Sequence, residues 1–167
     1  MPIIISPSIL GGSFSNMEKT ILEINESRAE YIHFDVMDGD FVPNLTFGPQ
    51  FIDNLRSYSN KVFDVHLMIN RVEKFIDNYI EAGSDIISFH VEIKDDIKSL
   101  ISRIKKNNIK CGIAIKPKTP WNKIQPYLDD IDQVIVMTVE PGFGGQIFMN
   151  DQVNKIKNIS NCIKSKN

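Results

Sequence analysis

His33 and Asp35 stand two residues apart at the end of the β-branched run Tyr31–Asp35, and His66 closes a second such run, Val62–Leu67. Side chains alternate along a strand, so His33 and Asp35 project to the same side. If that side faces a shared interior, an imidazole and a carboxylate enter it beside the imidazole of His66. Two histidines and an aspartate from adjacent strands suit a divalent metal such as Zn²⁺ or Fe²⁺. Buried histidines hydrogen-bonded to carboxylates would read the same way, and spacing alone leaves both open. A second feature is the loop Glu140-Pro141-Gly142-Phe143-Gly144-Gly145-Gln146. Its glycines admit positive φ and close backbone approach, and successive N–H groups there can form an anion nest. A phosphorylated substrate would suit such a nest; a mobile hinge is the alternative. His90, just before Val91-Glu92, reads as a structural hydrogen-bond donor and not as a ligand. Met37, Met68 and Met137 each lie at or just past a strand end. They read either as core filler or as an apolar wall around one mouth.

The elements that must position these residues follow one rhythm. Short β-branched runs at Ile3–Ser6, Tyr31–Asp35, Val62–Leu67, Ile86–His90, Cys111–Ile115 and Gln133–Met137 alternate with helical stretches. Apolar strands separated in this way predict a parallel sheet of βαβ units. Helices are expected at Met17–Glu26 after Ser13 and Ser15, at Gln50–Leu55 behind an N1 proline, Pro49, and at Val72–Ala82 between an Asn70 cap and a Gly83 stop. Others are expected at Asp95–Lys106, from Thr119-Pro120 onward, and at Asn150–Ile163. The alternation allows an open doubly wound sheet or a (β/α)8 barrel. Polar residues that could do chemistry follow nearly every strand: Ser8, His33 with Asp35, His66, His90, Lys116 and the glycine loop. That distribution favours a barrel, whose functional groups lie at the C-terminal ends of several strands. Six βα units are countable where closure takes eight, so the expectation is one domain over residues 1–167 lacking the last two units.

Composition narrows the classes. The chain has 167 residues, 42% of them hydrophobic and 24% charged, with a net charge of −2. This is a globular composition with no basic surplus for nucleic acid or anionic membrane. No apolar run approaches a membrane span, and no secretory signal is read at the N-terminus. Two cysteines without CxxC spacing argue against a cysteine zinc cluster or a disulfide framework, and for reduced cytosolic thiols.

Five segments taken together resemble the ribulose-phosphate 3-epimerase family. They are Ser6-Pro7-Ser8-Ile9-Leu10, His33-Phe34-Asp35-Val36-Met37-Asp38-Gly39, Phe41 to Pro49, Asp64-Val65-His66-Leu67-Met68, and Val136 to Gln146. They occur in family order and span essentially the whole chain. The resemblance implies a ribulose-phosphate-binding TIM (β/α)8 barrel in the cytoplasm that interconverts D-ribulose 5-phosphate and D-xylulose 5-phosphate in the pentose phosphate pathway. It implies one divalent ion (Zn, Fe, Mn or Co) held by His33, Asp35 and His66, with Asp35 also an acid/base. Ser8, His66 and the loop Gly142, Phe143, Gly144 and Gly145 would contact the substrate. Met37, Met68 and Met137 would lie against the cis-enediolate.

Two departures from the family pattern matter. Gly11-Gly12-Ser13-Phe14 replaces the usual Ser-Ala-Asp-Phe. The family's second catalytic aspartate, also the fourth metal ligand, belongs to an Asp-Gly-Gly motif on a seventh strand, and no such motif occurs before Asn167. The 167-residue chain is therefore expected to be inactive by itself. The alternatives are a non-catalytic remnant that binds metal or phosphate, and an epimerase of a related ketose 6-phosphate. The expected partner is a small phosphorylated ketose, without nucleic acid or membrane; a homo-oligomer is left open.

Overall fold

Five parallel strands lie side by side in strict chain order in the computed structural model, which describes residues 3–165. They are β1 (Tyr31–Met37), β2 (Val62–Met68), β3 (Ile86–His90), β4 (Lys110–Ile115) and β5 (Gln133–Val136). Helix α1 (Met17–Glu26) precedes β1, and α2 (Pro49–Arg56), α3 (Val72–Glu81) and α4 (Ile97–Lys106) follow the first three strands. Helix α5 (Gln152–Lys164) follows β5. A doubly wound sheet reverses its strand order at a switch point. Here the order never reverses, so the winding is that of a TIM-type α/β barrel.

Register divides the sheet chemically. One row crosses all five strands as Asp35, His66, Ser88, Gly112 and Gln133. The row one residue earlier runs Phe34, Val65, Ile87 and Cys111. Period-two alternation therefore puts polar groups on one face of the sheet and apolar groups on the other. The apolar face packs on the helices, with Phe34, Phe63, Phe89, Ile21, Ile52 and Ile76 all fully buried. Each such side chain stabilises the fold by about 1.5–3 kcal/mol on burial. Helix α4 shows how the sequence does this: Ile97, Leu100, Ile101 and Ile104 are buried on one stripe. The Asp96 side chain caps it, accepting from the backbone N–H groups of Lys98 and Ser99. At Gly112 a Cβ would lie 2.1 Å from Ser88 Oγ, so glycine is what lets β4 approach the inner face of β3.

Three local expectations are corrected. The run Ile3–Ser6 is not a strand. It lies extended beside β1, with Ile5 O accepting from Glu30 and Tyr31, Pro7 O accepting from His33, and Ser8 forming a bridge to His33. Only one side of it is paired, and Pro7 has no N–H to donate. No α-helix follows Thr119. The segment forms two 3₁₀ turns, Trp121–Lys123 and Gln125–Tyr127, because Pro126 removes a donor and crowds the preceding turn. Asn70 does not cap α3, whose first turn follows Arg71 without a side-chain cap. Its backbone N–H donates to Asp38 and its amide to Asp40 instead, locking the loop after β2 to the loop after β1.

Candidate active site

The end of β1 is pinned before any chemistry is added. Thr46 Oγ1 donates to Asp35 O at 2.8 Å and accepts from Met37 N at 2.9 Å. Asp38 Oδ1 accepts from the backbone N–H groups of Asp40 and Phe41, so the loop after β1 turns sharply over the strand end. Asn44 reaches from that loop to Gly142 O at 2.6 Å and ties the glycine loop to the same mouth.

His33, Asp35 and His66 converge inside this frame. One ligand atom from each lies within 4.8 Å of the others, and the described residues hold one such cluster. Asp35 Oδ1 is 3.3 Å from His33 Nε2 and 3.2 Å from His66 Nδ1, while Ser8 Oγ donates to Asp35 Oδ2 at 2.6 Å. Behind His33, Nδ1 lies 2.7 Å from Asp64 Oδ2, and Gln133 donates to Asp64 Oδ1 at 3.1 Å. A carboxylate behind a histidine fixes the ring and turns its other nitrogen toward the ligand. Asp64 was not singled out from the sequence, although it stands two residues before His66 and so shares its side of β2.

The cluster is built to hold positive charge. Burial works against protonation of His33, but its hydrogen bonds to Asp35 and Asp64 outweigh that and push its pKa up to about 10. Burial works against ionisation of Asp35, but its contact with His33 outweighs that and holds the carboxyl well below the usual carboxylate range. Burial lowers His66, and the neighbouring His33 adds to the effect. A divalent cation fits this donor set: one anionic oxygen and two imidazole nitrogens, with a carboxylate orienting the first ring.

Without metal, the charge falls to a proton on His33, which has a consequence for stability. A pKa raised from 6.5 to about 10 stabilises the fold fully below pH 6.5 and loses that contribution as pH rises through 10. The urea midpoint of chelator-treated protein should therefore fall across this window, and fall less in His33→Gln. Parallel profiles for the two proteins would refute the assignment of the charge to His33.

The cluster opens on a cleft of about 620 Å³. Its walls bring together Ser8, Asp35, the three methionines Met37, Met68 and Met137, and the loop Gly142 to Gly145. Gly142 and Gly145 take positive φ, 128° and 72°, the freedom expected of the loop. His66, at 1% exposure, reaches this cleft only through Asp35. His90 is fully buried and meets His66 instead of the cleft.

Polar side chains at the C-terminal ends of successive parallel strands, facing a cleft bordered by a glycine loop, match the mouth of a TIM-type barrel enzyme. Comparison with known proteins narrows the class. Residues 4–167 match the Ribulose-phosphate 3 epimerase family. A ribulose-phosphate 3-epimerase of Bacillus subtilis is 39% identical over 162 residues, covering 97% of this chain and 75% of that protein. One of Rhodobacter capsulatus is 45% identical over 155 residues, covering 92% of this chain and 68% of that protein. The chain belongs to the ribulose-phosphate 3-epimerase family. Among solved structures, the N-terminal domain of a proposed aldolase from Bacteroides vulgatus shares the fold, with a TM-score of 0.63 at 16% identity over 98% of this chain and 60% of that one.

Proposed function

We propose that the protein serves the interconversion of D-ribulose 5-phosphate and D-xylulose 5-phosphate by proton exchange at C3, in the cytoplasmic pentose phosphate pathway. The observation that carries this reading is the convergence of His33, Asp35 and His66 on a cleft that also bears the glycine loop. Backbone N–H groups of Gly142 to Gly145 receive the phosphate, and Ser8 meets the sugar beside Asp35. The buried His66 contributes through the ligand set, not through open surface. Met37, Met68 and Met137 form an apolar wall that keeps water from the reacting carbons. Asp35 takes the C3 proton, and the electron pair left behind delocalises into the C2 carbonyl. Return of a proton to the opposite face inverts C3. His33, Asp35 and His66 would hold a divalent cation (Zn, Fe, Mn or Co), which would supply Lewis-acid stabilisation of the charge that develops on the sugar oxygens.

A second reading, a metal- or phosphate-binding protein without turnover, is favoured by one feature. Epimerisation between two fixed faces needs two acids, and Asp35 is the one acid assigned to C3 here. Metal content tests the part common to both readings. Elemental analysis of gently purified protein should show a divalent metal, and His33→Ala, Asp35→Ala and His66→Ala should each lower it. Equal content in all four proteins would sink the site.

A further inference from the structure

Both ring nitrogens of His66 are engaged. Nδ1 lies 3.2 Å from Asp35 Oδ1, and Nε2 lies 2.9 Å from Nε2 of His90. Two imidazole nitrogens form a hydrogen bond only when one carries a proton and the other a lone pair. The ring planes are 27° apart and the centroids 4.9 Å apart. Its direction is decided at the far end of the chain of contacts. His90 Nδ1 is 3.0 Å from Glu92 Oε2, and Glu92 Oε1 accepts the backbone N–H of Lys116 at 2.9 Å. An ionised carboxylate only accepts, and a backbone N–H only donates. His90 must then carry its proton on Nδ1 and accept at Nε2. His66 must donate from Nε2, and in the neutral ring this leaves a lone pair on Nδ1, directed at the Asp35 cluster.

Asp35 competes for a proton at Nδ1. It already takes the Ser8 hydroxyl at 2.6 Å and faces His33 at 3.3 Å. Glu92 is the acceptor for His90 Nδ1. His66 and His90 are 1% and 0% exposed, and the Phe41 ring covers His90 at 4.8 Å between centroids. Solvent therefore offers no substitute partner that could reverse the chain.

We infer that His90 and Glu92 are positioning residues that set the tautomer of His66, keeping its Nδ1 free as a ligand for a divalent cation. The inference rests on the metal reading of His33, Asp35 and His66. Glu92→Gln should invert the relay. The amide oxygen must keep the Lys116 N–H, because that donor cannot turn around. The NH₂ group then donates to His90 Nδ1, His90 donates from Nε2, and the His66 proton moves to Nδ1, where a metal must displace it. Glu92→Asp keeps two acceptor oxygens and should preserve the wild-type order.

The chain has three histidines, so ring-¹⁵N labelling gives a readable spectrum. Solid-state NMR of the metal-free 167-residue chain reports each tautomer whatever its association state. Zn²⁺ affinity is read in parallel by competition with a chromophoric chelator. The expected result is Nε2–H at His66 in wild type and in Glu92→Asp. Glu92→Gln should show Nδ1–H, with Zn²⁺ affinity lower by about 10–100-fold. An Nδ1–H His66 in wild type, or an unchanged tautomer or affinity in Glu92→Gln, overturns the inference. A wild-type chain with Nε2–H at His66 that binds no Zn²⁺ overturns the metal reading instead, and with it the purpose assigned to the relay.

Discussion

Asp35→Asn, placed in a protein that turns over, should slow C3 proton exchange by about 10³-fold or more. General acid–base groups contribute about 10²–10⁴-fold each, and Asp35 is at once a base and a metal ligand in the proposed mechanism. Its carboxylate is held strongly anionic by its contact with His33, and the Ser8 hydroxyl donates to it. That makes it a weak base, poorly matched to a carbon acid in the absence of help. The mismatch explains why the same cluster must also be able to hold a Lewis acid: the acidity of C3–H has to rise toward that of the base. Asparagine can neither take nor return the proton, and it lacks the charge that draws the cation. Solvent deuterium wash-in at C3 is the assay. The protein is residues 1–167 followed by the C-terminal βα units of the Bacillus subtilis relative. Metal content is measured on the same samples. Wild-type exchange in Asp35→Asn would remove Asp35 from the chemistry.

Much of this site is legible in the sequence because strand alternation is a local rule. His33 and Asp35 share a side whatever the neighbours do, and Pro49, Gly83 and the α4 stripe mark element ends and faces through local chemistry alone. What the sequence could not supply is register. His33 meets Asp64 because those residues are paired across β1 and β2, and no pattern along either strand specifies that alignment. His90 meets His66 for a similar reason, since His66 pairs with Ser88 and His90 lies one pleat further along β3. The sequence reading of His90 as a structural histidine named neither His66 nor Glu92 as its neighbours. Gly112 is likewise unremarkable in the sequence; its necessity comes from the Ser88 side chain on the next strand. The run Ile3–Ser6 fails in the opposite direction. Its composition is that of a strand, but its pairing on the one side toward β1 is limited to isolated bonds at Ile5, Pro7 and Ser8, and Pro7 has no N–H to donate.

That one-sided pairing underlies the second large effect. Expressed as residues 1–167 alone, the chain should self-associate and show no measurable epimerisation. Ile3, Ile4 and Ile5 are 89%, 48% and 53% exposed. At the other end of the sheet, among the described residues, β5 pairs with β4 alone, and beyond it Ile147 and Phe148 are 91% and 49% exposed. Unpaired N–H and C=O groups beside apolar side chains are a template for another chain, and a net charge of −2 opposes association only weakly. Strand number, tilt and stagger are linked in a barrel, so five strands and an extended flank cannot close the gap by themselves. Turnover is expected to fail for a separate reason, because proton return to the opposite face of C3 is assigned to an acid other than Asp35. The two causes can be separated. Adding the C-terminal βα units of the Bacillus subtilis relative should pair both edges and restore turnover. The same addition with the aspartate of the family's Asp-Gly-Gly pattern changed to Asn should restore the monodisperse state without turnover. Size-exclusion chromatography and a coupled epimerase assay on the three proteins read both effects. A monodisperse, active 167-residue chain would show that one fixed acid is enough and that the edges are closed in some other way.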